Sequence, residues 1–323
     1  MTFTTEQDAL RDSVRTLLTR ETEPWKALCE QVGVAGLTIP EWHGGSGAGT
    51  AEPQIVAEEL GRVLSDAPFL GTALATRAVL ATGDDHLPPR LAKGAVAALA
   101  WTGQEGRWSP DTVACVTDGS TVDGVAHYVL DGATAEILLV VADTGDGLAL
   151  FEAEPGAACR VQTPTLDETR HLARVAFDRT PARPLGPIDL GPVRDFACAL
   201  LAAEQAGAAA RALEITVEYT KQRHQFGRPI GGFQALKHRM ADLYVLVETA
   251  RSAAYAAPTS SRLAAVAKAH CAETLSAVAA EMIQLHGGIG ITWEHPAHRY
   301  FKRAHATSHL FGPVHSHLAR ARP

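Results

Sequence analysis

Gln222-Arg223-His224-Gln225-Phe226-Gly227-Arg228-Pro229-Ile230-Gly231-Gly232-Phe233-Gln234 is answered further along the chain by Gln284-Leu285-His286-Gly287-Gly288-Ile289-Gly290-Ile291-Thr292. Arg223 offers a planar, permanently charged fork suited to phosphate oxygens. Gly231 and Gly232 allow close backbone approach just before a helix that the pattern starts near Phe233, and a helix N-terminus favours an anion. Phe226, Ile230 and Phe233 supply an apolar wall, and Gln225 and Gln234 supply amides. The combination suits a phosphate-bearing dinucleotide. An isolated Arg-x-x-Phe-Gly run is more often a surface ion-pair residue beside an ordinary helix start; two such motifs in one chain favour the binding reading.

Outward from this stretch the chain is helical. Residues 196–222 are rich in Ala and Leu with Glu and Arg interspersed, residues 233–256 repeat apolar residues at helical spacing, and residues 263–285 do so again before Gly287-Gly288 stops them. Their broad apolar faces suit a four-helix bundle buried partly by a second subunit. Before the bundle, Pro181-Ala182-Arg183-Pro184-Leu185-Gly186-Pro187 reads as a linker, because proline removes a donor and disfavours helix before it. Between about Val96 and Phe177, short runs (Ala97 to Trp101, Val113 to Val116, Ile137 to Val141, Leu148 to Phe151, Ala173 to Phe177) alternate with Gly, Asp and Pro turns, the texture of an antiparallel β domain. The first ninety or so residues are helical again, with Leu10, Val14, Leu17 and Leu18, then Ile55, Val56, Leu60, Val63 and Leu64, on either side of the breaker-rich segment 40–47. The expected fold is therefore multidomain α+β: an N-terminal helical domain (1–92), a middle antiparallel β domain (93–186) and a C-terminal four-helix bundle (187–323).

This order, together with the two opening motifs, resembles the acyl-CoA dehydrogenase family. The resemblance extends to Gly36-Leu37, Ile39-Pro40-Glu41 and Gly44-Gly45, similar to that family's Gly-Leu-x-x-Pro-Glu-x-x-Gly-Gly pattern, and to Glu58-Glu59-Leu60-Gly61 on the next helix. It implies FAD as cofactor. It further implies that Arg223, Gln225, Phe226, Ile230, Gln234, Gln284, Gly287 and Gly288 face the flavin adenine dinucleotide of a neighbouring subunit.

The family usually lines the flavin ring with a Thr-Glu-x-x-x-Gly-Ser-Asp segment and a Trp-Ile-Thr/Ser-Asn segment. Here the corresponding places read Ala100-Trp101-Thr102-Gly103-Gln104-Glu105-Gly106-Arg107 and Tyr128-Val129-Leu130-Asp131-Gly132-Ala133. α,β-Dehydrogenation of a thioester moves the α-proton onto a carboxylate as the β-hydride leaves for flavin. The two positions at which the resemblance places that glutamate hold Phe311 and Ala197, neither of which takes a proton, so no catalytic residue is assigned. Glu204, Glu214, Glu281 and Glu294 read as helix-face charges or ion-pair partners, and His305 and His309 as solvated or interface residues, so no metal site is implied. His315 stays a weak candidate from its place after Phe311-Gly312.

A chain with the clamp but without the base looks like one subunit of a heterotetramer. Leu166-Asp167, Thr169-Arg170, Lys237-His238-Arg239, Trp293-Glu294-His295 and Leu310-Phe311-Gly312 resemble the shorter, base-lacking chains of actinobacterial sterol-catabolism acyl-CoA dehydrogenases. That resemblance implies a homologous partner chain carrying the catalytic Glu, a bulky steroid-derived acyl-CoA substrate, and an electron-transfer flavoprotein as acceptor. Two other readings remain: a self-sufficient homo-oligomeric dehydrogenase with an atypical base, and a flavin-free scaffold or regulatory paralogue.

At 323 residues, 46% hydrophobic and 20% charged, the chain is long enough for several cores. A formal charge of −7 without a Lys/Arg run argues against nucleic acid or an anionic membrane surface. The start lacks the pattern of a signal peptide, no apolar run is long enough to span a bilayer, and a cytoplasmic location is expected. Five scattered cysteines, Cys29, Cys115, Cys159, Cys198 and Cys271, suggest neither a disulfide framework nor a zinc site.

Overall fold

Helix α1 (Thr5–Arg20) of the computed structural model starts where the sequence caps it. The Thr4 hydroxyl accepts from the Gln7 N–H, and the Gln7 side chain accepts from the Thr4 N–H. The structure describes residues 2–103, 105–106, 108–111 and 113–322. Two compact units emerge: one formed by residues 3–56 and 66–197, the other by residues 57–65 and 198 onward.

The first unit holds α1, the short α2 (Trp25–Ala27), the first half of α3 (Ala51–Arg62), α4 (Phe69–Thr82) and α5 (Pro88–Ala92). It also holds the strands β1 (Ala97–Ala100), β2 (Cys115–Thr117), β3 (Thr121–Leu130), β4 (Ile137–Asp143), β5 (Leu148–Ala153), β6 (Cys159–Thr163) and β7 (Leu172–Pro187). The sheet runs β1-β4-β2-β3-β7-β5, β6 pairs with β7, and β5 pairs with β4 as well, which closes the sheet on itself. Among the described residues five of its seven pairings are antiparallel, while β1 and β2 lie parallel to successive parts of β4. Ala98, Val122, Leu138, Val140, Phe151 and Val175 fill its core.

The segment 181–187, expected as a linker, is instead the second half of β7. Ala182, Arg183, Pro184, Gly186 and Pro187 pair with Ala153, Glu152, Phe151, Leu150 and Ala149, with a register shift between Leu150 and Phe151. Proline's fixed φ is compatible with extended backbone and costs the ladder only a donor, which the irregular pairing absorbs. Arg183 fastens the strand through Asp84 (2.8 Å) and Glu152 (2.9 Å).

After β3, Asp131 turns the chain at φ 55 with its side chain only 8% exposed, packed so closely on Gly71 that a Cβ there would meet Asp131 Oδ2 at 2.6 Å. Burial pushes its carboxyl up to about 7, against the pull of Arg170 and with the neighbouring Asp66 adding to the rise. The unfolded chain releases this proton near pH 4 and the folded chain holds it to about 7, so stability falls as pH rises through that window. Asp131→Asn, an exchange that tolerates the left-handed backbone, is expected to flatten this dependence and to raise stability at pH 8 by about 1–3 kcal/mol in denaturant titrations.

The second unit is a helical bundle. It contains the second half of α3, α6 (Leu190–Gln222) from Cys198 onward, the two-residue strands β8 (His224–Gln225) and β9 (Arg228–Pro229), α7 (Gln234–Ala256), α8 (Ser261–His286), α9 (Ala297–His309) and α10 (Val314–Ala321). Ala208, Ala212, Leu243, Val247, Leu275, Met282 and Tyr300 form its core. Small residues let α3 and α6 touch backbone to backbone: a Cβ at Gly61 would sit 2.0 Å from the Glu204 carbonyl oxygen, and one at Gly207 would sit 1.9 Å from that of Glu58. The Glu58-Glu59-Leu60-Gly61 motif thereby gains a physical reason. Its glycine permits the close approach, and Glu58, 5% exposed, accepts from Tyr255 Oη (2.5 Å) and pairs with Arg251 (3.0 Å).

Candidate functional site

The last turn of α6 delivers Arg223 into a tight hairpin. The Arg223 N–H donates to Tyr219 O at 2.9 Å, the Ile230 N–H donates to Arg223 O at 2.7 Å, and β8 and β9 pair between them. Phe226 and Gly227 form the tip at φ 53 and 78, the paired positive values of a type I′ turn. A phenylalanine in the left-handed region is strained, and this one is also 91% exposed, with its ring edge-on to Phe233 at 6.1 Å. Arg228 lies over the Phe233 ring at 4.1 Å. Phe233 is the N-cap of α7 and offers no side-chain cap, so that end of the 23-residue helix keeps donors available to an anion. Arg223, Gln225 and Gln234 are exposed and Ile230 is half-buried. Gln225 turns its amide back onto its neighbour, donating to His224 O at 2.8 Å.

The second motif closes α8. Gln284 is exposed, Gly287 is the C-cap at φ 63 and ψ −144, and Gly288, also exposed, follows in a 3₁₀ turn (Gly287–Ile291). The ends of α6 and α8 meet through aromatic rings: Tyr219 stacks on the buried His286 at 4.3 Å and 28°, and its hydroxyl donates to His286 O at 3.3 Å. His286 in turn faces His295 at 4.2 Å. Burial holds His286 below the ordinary histidine value against a hydrogen bond to Met282 O, and burial with the neighbouring His286 and His298 does the same to His295. The sequence reading missed this stack. His286 stood inside the quoted motif, but nothing in spacing links it to Tyr219 or His295.

The positions where the resemblance places the base are apolar and sealed. Ala197 and Phe311 are both 0% exposed. Phe311, at φ 61, lies in the turn between α9 and α10, and its carbonyl accepts from His317 Nε2–H at 3.0 Å while His317 Nδ1 accepts from Arg320 at 3.2 Å. On the other side of this turn Lys268 Nζ donates to the carbonyls of Thr307 and Ser308, each at 3.2 Å, at the C-terminal end of α9 where a cation is favoured. Burial pulls this lysine down to about 8. His315 is exposed on α10.

Three of the four other carboxylates are engaged by arginine: Glu204 by Arg303 (2.6 Å, both buried), Glu214 by Arg62 (2.7 Å) and Glu281 by Arg239 (2.6 Å). Glu294 is exposed. His305 and His309 meet edge to face at 5.6 Å, and among the described residues no group of three or more His, Cys, Asp or Glu is placed to hold a metal ion.

In the β unit, Trp101 and Thr102 follow β1, each 1% exposed, and among the described residues neither Trp101 Nε1 nor Thr102 Oγ1 has a hydrogen-bond partner. Unpaired buried donors cost free energy and mark a place where a ligand would satisfy them. Gln104 and Arg107 of the same segment lie outside the described residues. Leu130 and Asp131 stand where the family pattern has Thr/Ser-Asn, and Asp131 is buried against Gly71. A flavin nucleotide thus fits this chain in two respects: exposed Arg223 beside an open helix start, and an unpartnered indole and hydroxyl at the end of β1.

The model of the acyl-CoA dehydrogenase N-terminal domain matches residues 4–94, and that of the acyl-CoA dehydrogenase C-terminal domain matches residues 196–320. The acyl-CoA dehydrogenase IpdE2 of Mycobacterium tuberculosis is 45% identical over 96% of this chain and 94% of its own length. Among solved structures, a variant of the Tcur3481–Tcur3483 steroid ACAD superposes with a TM-score of 0.86 at 30% identity, covering 98% of this chain and 96% of that one. The ChsE4–ChsE5 complex from Mycobacterium tuberculosis does so with a TM-score of 0.88 at 28% identity, covering 99% and 96%.

Proposed function

The chain belongs to the acyl-CoA dehydrogenase family, and on that premise we propose that it is the flavin-clamping, non-catalytic subunit of a heteromeric dehydrogenase. In this reading Arg223 neutralises the FAD pyrophosphate. The start of α7 donates N–H groups to the same anion, Phe226, Ile230 and Phe233 wall the adenosine half, and Gln225, Gln234 and Gln284 orient it, with Gly287 and Gly288 permitting close approach. A homologous partner chain supplies the glutamate that removes the α-proton. FAD held by these residues would supply the acceptor for the β-hydride. Electrons then leave through an electron-transfer flavoprotein, the acceptor that the family resemblance implies.

The observation that carries this reading is the pair of sealed apolar residues, Phe311 and Ala197, at both base positions. At the first of these positions a carboxylate would have to displace a fully buried ring from a turn whose carbonyl accepts from His317. The exposed apolar side chains of the bundle, Phe226 (91%), Ile291 (72%), Trp293 (66%), Tyr244 (59%) and Val245 (59%), support burial by a partner. The similarity to a steroid ACAD favours a bulky, ring-bearing acyl-CoA as substrate, and the similarity to the two-chain ChsE4–ChsE5 complex favours a homologous partner. No helix among the described residues is long and apolar enough to cross a membrane.

One observation favours a second reading. The unpartnered Trp101 Nε1 and Thr102 Oγ1 suit a chain that keeps a ring site of its own and acts as a homo-oligomer with an unusual base. Flavin absorbance against protein mass separates the two. The proposed subunit binds no FAD when purified alone and about one FAD per pair of chains when co-expressed with its homologous partner. One FAD per chain with turnover in the isolated protein would establish the second reading instead.

A further inference from the structure

The turn 287–294, which carries Gly287 and Gly288 of the proposed clamp, begins after His286 at the end of α8 and ends before His295, two residues ahead of the first residue of α9. The two imidazoles flanking it lie 4.2 Å apart in a tilted contact, and Tyr219 from α6 stacks on His286 at 4.3 Å while meeting His295 edge to face at 6.3 Å. The chain excursion is thus pinned shut at its base by rings rather than by a backbone ladder.

The hydrogen bonds around both rings specify their neutral forms. His286 Nδ1 contacts Met282 O at 2.7 Å, an acceptor only, so Nδ1 carries the hydrogen; Nε2 is then a lone pair, buried and, among the described residues, without a partner. His295 Nδ1 accepts from the Ala297 N–H at 3.2 Å, in the first turn of α9, so its Nδ1 is unprotonated. A proton on His286 Nε2 would place an unpaired cation in a site 3% exposed, against a second imidazole. A proton on His295 Nδ1 would break its contact with α9. The remaining polar and charged neighbours give such a cation little help. Tyr219 presents its ring face, His298 on α9 stands edge-on to Trp293 at 4.6 Å, Lys302 lies over the Trp293 ring at 4.4 Å, and Glu294 is exposed.

We propose that Tyr219, His286 and His295 are positioning residues that latch the turn 287–294 closed, and that flavin retention therefore requires both imidazoles to be neutral. The second half of this statement rests on the reading of Arg223, Gln284, Gly287 and Gly288 as the clamp. Protonation of either ring separates the pair, opens the turn, and moves Gly287 and Gly288 out of register with Arg223 and Gln284. Burial, and for His295 the neighbouring imidazoles, place this event below the ordinary histidine value of about 6.5.

Two readouts test the latch on the full chain and on the co-purified complex. Hydrogen exchange of peptides spanning 284–297, corrected for intrinsic rates at each pH, reports the turn without reference to flavin. Flavin fluorescence of the complex reports release. Wild type is expected to lose protection in the turn and to release flavin in the same range below pH 6.5. His286→Phe combined with His295→Asn, which keeps a ring against Tyr219 and an acceptor for the Ala297 N–H but can take no proton, is expected to keep the turn protected and to retain about tenfold more flavin at pH 5. His286→Gln replaces the phenylalanine where that double variant does not fold. Unchanged exchange in the wild-type turn at pH 5, or identical release midpoints in wild type and both variants, would overturn the latch. A turn that opens with acid while flavin stays bound would uphold the latch and sink the clamp assignment.

Discussion

Arg223→Ala is expected to weaken FAD binding by the assembled complex about ten- to hundredfold, the loss of one charge-assisted contact to phosphate, while changing the chain's own stability by less than about 0.5 kcal/mol. The two effects separate because the Arg223 side chain is exposed, so its removal leaves no cavity and no buried partner unpaired. Fluorescence titration of flavin-stripped complex measures the first effect, and thermal melts of the chain alone measure the second. Unchanged affinity with lowered stability would mean that the motif is inherited packing and would favour the scaffold reading.

Arg303→Ala is expected to cost about 3–5 kcal/mol of stability, because it leaves Glu204 buried without its countercharge. Glu204 and Arg303 are 6% and 1% exposed and meet at 2.6 Å, and Arg303 also donates to Ser65 O at 3.1 Å. The double replacement Arg303→Met with Glu204→Leu should recover much of the loss, since a buried ion pair is often no better than well-packed apolar residues of similar volume. Urea denaturation of the three chains is the measurement. The same series addresses catalysis: a Glu204 that acted as a hidden base would lose turnover in Glu204→Gln at unchanged stability, whereas a structural Glu204 loses stability.

The helices of the bundle were legible because they carry their own signals, the Ala/Leu periodicity of 196–222 and the glycine that ends α8 among them. The β runs were legible for the same reason, although their pairing was not. β1 and β2 lie parallel to β4, an outcome set by chain segments far apart in sequence. Segment 181–187 misled because proline's local preference argues against a strand, while pairing with β5 and the Arg183 ion pairs overrule it. Among the candidate site residues, identity was readable and environment was not. Phe311 and Ala197 announce that no carboxylate stands there, but only the folded chain shows that both are sealed.

By itself the sequence determined the family, the order of helical, β and helical regions, and the residue types of the two motifs and of positions 197 and 311, because these depend on residue type and short spacing. Tertiary structure alone decided that Tyr219, His286 and His295 stack, that Lys268 caps α9 from a neighbouring helix, that Glu204 is neutralised by Arg303 and that Asp131 is desolvated. Each of these joins residues distant in the chain or depends on exclusion of water, and neither long-range proximity nor local dielectric is written in any short window of sequence.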